Sequence, residues 1–369
     1  MGWTPVRNAV GLTSARTVRA RRDEPGADVA AMDGYAVRIA GRGSAHRFRV
    51  RADRPRGTSP QGRLGTDEAV VIATGARLPP GANAVARQEI VTTPSEGTLL
   101  LRHPLRPGVD VHRRGEDLRR GSVLLRPGEV VRPFHLGILI AQGFERIATR
   151  RIRATVLTIG DELARPGDRN AGRIQDSLSP LIRSLAPLFL WRQIGPLPDD
   201  PATLRRALRA AARNSDLIVT IGGTSVGPHD YTKAAVASAG RLLFSGVRVN
   251  VLKRGGVGEV AGVPVVLLPG QVVSAVVVWH EYGRAVTDRM LGRPPRPLTR
   301  VALARPLANP HPMDSVYLFR VDGGKARPCR WGVRLLSELV GANAFGIVPR
   351  HATMRAGAMV EVRWLDGAS

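Results

Sequence analysis

The sequence predicts a multidomain α/β and β protein: a central open, mostly parallel α/β sheet domain, a β-rich module, and a small β-barrel-like domain at the C-terminus. Three observations predict it. The 369 residues exceed one ordinary core and suit two to four compact domains. After Arg151 the chain repeats strand, loop and helix, the rhythm of a parallel sheet covered on both faces. Before and after that stretch, short β-type runs are broken by glycine and proline.

In chain order, Val29 to about Asp117 carries such runs, for example Ala69-Val70-Val71-Ile72-Ala73, punctuated by turns like Leu78-Pro79-Pro80-Gly81. Residues 118 to 150 continue with Gly-Ser and Pro-Gly turns and a helix around Phe134 to Ala141 that stops near Gly143. In the central region, strands are expected at Arg153 to Ile159, Leu217 to Ile221 and Val263 to Leu268. Helices are expected at Ser179 to Ala186, Pro201 to Arg213, Asp230 to Ala239 and Val272 to Leu291. In the second of these, Leu204, Leu208 and Ala211 share one face opposite arginines, an ordinary amphipathic helix. The prolines of Gly292-Arg293-Pro294-Pro295-Arg296-Pro297 form a stiff boundary, and alternating strands such as Ser315 to Val321 and Met359 to Trp364 follow. The resulting domains are 1–28 plus 118–150, 29–117, 151–293 and 297–369.

Composition narrows the function classes. The 43% hydrophobic and 23% charged content is ordinary for a globular protein, and no apolar run reaches membrane-spanning length. The opening residues lack a charged segment followed by an apolar stretch, so a cytoplasmic protein without a membrane role is expected. Cys329 is the only cysteine, which excludes an internal disulfide and a multi-cysteine zinc site. The net charge of +25 invites a nucleic-acid reading. Against it, Lys233, Lys253 and Lys325 are the only lysines, the arginines are spread along the chain, and 4% aromatic content leaves few stacking platforms. An anionic small molecule therefore ranks above nucleic acid.

Three strand ends carry chemistry. Gly222-Gly223-Thr224-Ser225-Val226-Gly227 follows a strand and precedes a helix, where glycine backbone N–H groups and the Thr224 and Ser225 hydroxyls suit a phosphate. Asp161-Glu162 ends another strand and reads equally as ligands for a hard cation such as magnesium or as a helix start with Asp161 as its cap. Leu268-Pro269-Gly270-Gln271-Val272-Val273-Ser274 opens a helix whose first turn would present Ser274 to a tetrahedral oxyanion.

Together with Met32-Asp33-Gly34-Tyr35-Ala36, Thr74-Gly75-Ala76 and Gly115-Glu116-Asp117, these segments resemble the molybdopterin molybdenumtransferase family of molybdenum-cofactor biosynthesis, related to the C-terminal domain of gephyrin. The motifs keep their order over about nine-tenths of the chain. The resemblance implies a transferase that inserts molybdate into adenylylated molybdopterin with release of AMP, using Mg2+. It implies a homodimer whose cleft is closed by both subunits, with a molybdopterin adenylyltransferase and recipient molybdoenzymes as further partners. Carried over by position, Asp33, Thr74, Asp117, Glu162 and Asp230 line the catalytic cleft, and Glu162 and Asp230 face the metal. Gly222, Gly223, Thr224, Ser225, Gly227, Asp176 and Ser177 fall on the cofactor-binding segments, and Lys253, Ser274 and Arg320 on the molybdate positions.

Five residues depart from the family pattern. Gly256 stands for a lysine, Gln271-Val272 for Asn-Pro, Leu178 for an asparagine, and Val333 for a serine. Each loss of a charge or donor implies weaker molybdate binding. Arg254 and Arg334 are the candidate replacements for the missing cation, with geometry unlike that of lysine. A second reading follows, a molybdopterin-binding protein without transferase activity.

Overall fold

The computed structural model describes residues 2–40, 47–51, 62–164, 172–224, 231–332 and 336–365. Residues 2–28 and 118–150 fold together. The Arg146–Arg150 strand lies between Gly2–Pro5 and Thr13–Ser14, antiparallel to both. Beneath it, Val6, Ala9, Leu125, Leu139 and Ile147 form one core. The helix there runs Pro133–Ala141, with Pro133 in its first turn where a missing N–H costs nothing.

Between these segments lies a six-stranded sheet in the order Ala84–Arg87, Gly34–Val37, Glu68–Ile72, Arg47–Val50, Thr98–Leu101, Val91–Ser95. Phe48, Leu99, Val37 and Ala69 fill its core. Gly34 of the Met-Asp-Gly-Tyr-Ala motif is glycine for a packing reason, since a Cβ there would stand 2.1 Å from the Ala86 carbonyl oxygen of the neighbouring strand.

The central sheet orders its strands Leu190–Leu197, Arg153–Ile159, Leu217–Ile221, Val263–Leu268, Gly256–Val260, Arg241–Phe244. The first four are parallel and the last two antiparallel. All five residues of Leu217–Ile221 are buried, as a strand covered on both faces requires. The amphipathic helix forms over Pro201–Ala212, with Asp200 accepting from the Thr203 N–H at 2.7 Å and with Leu204, Leu208 and Ala211 buried as their spacing predicts. The expected helix over 272–291 is one helical run with an unexpected interior: Val272–Val278 and Arg284–Leu291 are α-helical, and a π-helical turn, Trp279–Gly283, joins them. Gly292 closes it in the left-handed conformation.

At the C-terminus, Asp314–Asp322, Lys325–Pro328, Thr299–Leu303, Met359–Trp364 and Ala344–Val348 close into a five-stranded barrel, because the first also pairs with the last. Phe319, Val301 and Val362 fill its interior. Val316 and Leu318, on the outer face of the same strand, pack instead into the core of the central domain with Val278 and Trp279. An ion pair between Arg363 and Glu281 and an edge-to-face contact between His280 and Phe345 fasten the barrel to the π-helical turn. The Val249–Asn250 strand of the central domain joins the barrel wall, parallel to Asp314–Asp322. No described helix is long and apolar enough to cross a membrane.

Candidate active site

The parallel strands end in one crevice, the ordinary ligand position of such sheets. A cleft of about 430 Å³ opens there, lined by Ile159, Gly160, Asp161, Glu162, Asp199, Gly223 and Tyr231. Asp161 and Glu162 form a turn rather than the start of a helix, so the capping reading of Asp161 is wrong. The chain returns through a bridge between Leu163 and Ile174, and the Ile174 N–H donates to the Glu162 carbonyl at 2.9 Å. Gly160 leaves space for Glu162: a Cβ at 160 would meet the Glu162 Oε2 at 2.5 Å. Asp199 was not singled out in the sequence. The signal was the pair Asp199-Asp200 at a strand end, where Asp200 caps the next helix and Asp199 is left over for the cleft.

Gly222 and Gly223 both adopt positive φ, +97° and +64°. A Cβ would stand 2.3 Å from the Ile159 carbonyl oxygen at Gly222 and 2.2 Å from Thr232 Oγ1 at Gly223. Close packing and positive φ therefore favour glycine at both positions whether or not a phosphate binds there. The Gly222 N–H is also committed, donating to the Leu268 carbonyl at 3.0 Å. Thr224 is buried beside this turn. Ser225, Gly227 and Asp230 lie outside the described residues, as do Val333 and Arg334.

Asp176 is held by its own domain. Its carboxylate accepts from the Ser179 N–H at 2.9 Å, Gln193 Nε2 at 3.0 Å and Thr158 Oγ1 at 3.2 Å. Ser177 beside it is exposed, and Leu178 is buried in the apolar core, so the residue standing for asparagine does not face the cleft. Asp33 and Thr74 form a second polar cluster on the N-terminal β-rich sheet, where Asp33 Oδ1 accepts from the Thr74 N–H at 2.7 Å and its hydroxyl at 2.8 Å. Asp117 is exposed on the same half of the chain, its N–H bonded to the Glu24 carbonyl at 3.1 Å. Glu162 thus belongs to one module, and Asp33, Thr74 and Asp117 to another.

The molybdate positions divide similarly. Lys253 and Arg254 occupy a short 3-10 turn, Leu252–Arg254, both half-buried. Lys253 Nζ lies 3.9 Å from Met313 Sδ, and Arg254 Nη1 donates to Gln271 Oε1 at 2.6 Å. Among the described residues neither cation has a carboxylate partner. Ser274 is fully buried, its Oγ without a hydrogen-bond partner among those residues, so the first-turn hydroxyl faces the interior instead of lying open to an oxyanion. Arg320 is exposed on the barrel strand, on the same outer face as Val316 and Leu318, and Nη1 donates to the Gly341 carbonyl at 3.3 Å. At the lysine position, Gly256 is buried in a strand, and a Cβ would stand 2.8 Å from the Phe244 carbonyl oxygen.

Comparison with known proteins agrees with this arrangement. Residues 3–143 match the family described as "MoeA N-terminal region (domain I and II)", and residues 155–289 match the "Probable molybdopterin binding domain". The molybdopterin molybdenumtransferase of Haemophilus influenzae is 32% identical over 273 residues, covering 73% of this chain and 68% of that protein. Molybdopterin molybdenumtransferase 2 of Mycobacterium tuberculosis is 32% identical over 326 residues, covering 83% and 80%. The crystal structure of the molybdopterin biosynthesis MoeA protein from Pyrococcus horikoshii superposes with a TM-score of 0.84 at 26% identity, covering 99% of this chain and 94% of that one. With the relatives spanning both the β-rich half and the strand-end crevice, the chain belongs to the molybdopterin molybdenumtransferase family.

Proposed function

We propose that this enzyme inserts molybdate into adenylylated molybdopterin and releases AMP. The observation that carries the reading is an acidic crevice, with two cations on a neighbouring turn that Arg254 ties to Gln271. Asp161, Glu162 and Asp199 lie beside the Gly222–Gly223 turn. Lys253 and Arg254 lie beyond the Leu268–Gln271 turn without carboxylate partners among the described residues. A tetrahedral dianion needs the cations, and a nucleotide phosphate with its hard cation needs the carboxylates. In the overall change two molybdenum–sulfur bonds form, one oxo group leaves with the two thiol protons as water, and one water is consumed in cleaving the phosphoanhydride to AMP.

Among the described residues no three His, Cys, Asp or Glu side chains converge on a metal-sized point. Mg2+ fits that sparseness, because it usually takes one or two carboxylates and completes its shell with water and phosphate oxygens. Glu162 would hold it, with Asp230 as the second carboxylate. When bound, Mg2+ would offset the charge of the adenylyl phosphate. Lys253 would offset the oxyanion, and the backbone N–H groups of Gly223 and Thr224 would serve the pterin phosphate.

The transferase reading is favoured over a carrier that only binds the cofactor. Two of the changed positions open no gap in the crevice: Leu178 faces the core, and Gly256 is required by the Phe244 carbonyl. AMP should appear when the purified chain meets adenylylated molybdopterin, Mg2+ and molybdate. Glu162→Gln should lower that rate at least about tenfold. Its thermal unfolding should not change, since the side chain is exposed. Equal rates with and without Mg2+ would remove the metal role.

The second polar cluster calls for a partner subunit. Asp33 and Thr74 sit on a different module from Glu162, and closure of one cleft from two copies would unite them. An apolar surface is available for the contact: Phe134 is 87% exposed and Ile140 50% on the same helix, with Trp3 60% exposed on the same module. Light scattering at micromolar concentration should give the mass of a dimer, and Phe134→Glu should shift it towards that of a monomer. A monomeric wild type would rule the shared cleft out.

A further inference from the structure

We infer that Arg254, oriented by Gln271, is the second cation of the oxyanion subsite and sets its affinity for a tetrahedral dianion of the molybdate class. The inference rests on the transferase reading above and deepens it.

Position 256 cannot carry the charge without disturbing the sheet. Gly256 pairs with Leu267 in an antiparallel strand, and the Phe244 carbonyl occupies the space of a side chain. Arg254, two residues earlier, is free of that constraint. Three other arginines have carboxylates: Arg87 with Asp110 at 2.6 Å, Arg153 with Asp216 at 2.7 Å, Arg330 with Glu338 at 2.7 Å. Those three arginines are more exposed than Arg254, which has only a neutral amide. A half-buried cation without a counter-charge is costly unless a ligand supplies it.

The pair is also in the right place. Gln271 follows Gly270, whose Cβ position lies 3.8 Å from Gly222 Cα, so Gln271 is next in the chain to a residue that packs on the glycine turn of the crevice. The turn bearing Lys253 and Arg254 is rigidly held. Val251, just before it, has φ +81° and ψ −57°, the strained γ-turn conformation rarely adopted by a β-branched residue. Tyr282 Oη donates to the Leu252 carbonyl at 3.2 Å. Gly255, just after it, lies so close to the long helix that a Cβ would meet Val278 Cγ1 at 2.5 Å. Gln271 engages Nη1 alone, leaving the other guanidinium donors for a second acceptor. An asparagine at 271 would stop one methylene shorter. The two residues therefore act as a unit, the longer amide orienting the arginine.

Calorimetric titration of the full chain with sodium molybdate, and with sodium tungstate, tests this without the pterin. Arg254→Ala should weaken molybdate binding by about tenfold or more, the usual worth of a charge-assisted bond. Arg254→Lys should recover part of the loss. Gln271→Ala keeps the cation and removes its positioning, so in AMP release it should raise the KM for molybdate several-fold and leave kcat within about twofold, a split that a general loss of structure would not produce. Molybdate binding by Arg254→Ala equal to wild type overturns the inference. If wild type releases AMP while both Arg254→Ala and Gln271→Ala keep its molybdate KM, the inference falls and the transferase reading stands. If wild type releases no AMP but binds molybdate and loses it in Arg254→Ala, the subsite stands and the transferase reading falls. If wild type neither binds molybdate nor releases AMP, both fall.

Discussion

Replacing Gly222 with alanine should remove much of the stability margin of the fold and abolish AMP release. The residue sits at φ +97°, and its Cβ would stand 2.3 Å from the Ile159 carbonyl oxygen. That oxygen ends the strand hydrogen-bonded on both sides, to Leu190–Leu197 and Leu217–Ile221, and has nowhere to retreat. The left-handed conformation costs an L-residue about 1–2 kcal/mol, and overpacking against fixed backbone about 1–3 kcal/mol more. A total of about 2–5 kcal/mol is a large part of the ~5–15 kcal/mol available to a typical fold. Gly121→Ala isolates the first contribution, because Gly121 has φ +90° and nothing within 4 Å of a built Cβ. Urea midpoints for the two variants give the packing contribution by difference, and equal midpoints would refute it. Because Gly222→Ala is expected to lose fold and activity together, no substitution there can separate phosphate binding from packing. Glu162→Gln can.

The protein should lose stability steeply as pH falls below about 6.5, and His280 should be the principal cause. Burial, reinforced by the nearby Arg284, pushes its imidazole down to about 3, and Nδ1 lies 2.7 Å from the Val276 carbonyl oxygen. A depressed folded value means that the stabilisation is fully present above the unfolded value of 6.5 and is lost as pH falls towards 3. At about 1.4 kcal/mol per unit, the loss between pH 6.5 and 5 is about 2 kcal/mol. Glu281 works the other way. Burial raises its carboxyl above the usual range despite Arg363, so its contribution is present at low pH and is lost as pH rises through its folded value. The comparison is therefore between wild type and His280→Asn, which keeps a donor for Val276 and cannot charge. Denaturant midpoints across pH 4.5–7.5 should converge for the two as pH falls. Parallel curves would show that the imidazole does not govern the acid limb.

These expectations depend on different levels of organisation. The three interior strands expected from apolar runs, Arg153–Ile159, Leu217–Ile221 and Val263–Leu268, form over those residues. Burial on both faces leaves a continuous apolar signal that local reading detects. The edge strand Leu190–Leu197 leaves none, because Pro196 and the polar Arg192 and Gln193 are tolerated at the edge of a sheet. The antiparallel strands Arg241–Phe244 and Gly256–Val260 were hidden for a related reason: they carry charge or glycine, and their place is set by pairing, Gly256–Val260 with Val263–Leu268 and Arg241–Phe244 with Gly256–Val260. The π-helical turn has no signature in the apolar spacing of residues 272–291.

The sequence by itself determined the fold class, the family and the strand-end segments that border the crevice, because apolar periodicity, turn residues and ordered motifs are local properties of the chain. It placed Glu162 in the cleft for the same reason: a carboxylate just past a parallel strand faces the crevice. Only the tertiary structure decided what each residue does there. Gly222 and Gly223 are demanded by a carbonyl of one strand and a hydroxyl of a helix, Asp161 starts no helix, and Ser274 is turned into the interior. Leu178 is packed away from the pocket, and Gly256 is closed to any side chain by Phe244. The bond between Arg254 and Gln271 joins one of the departures to a candidate replacement cation that lies apart from it along the chain. Which atoms occupy the space beside a residue depends on segments brought together by the whole fold, and no window of neighbouring residues contains that information.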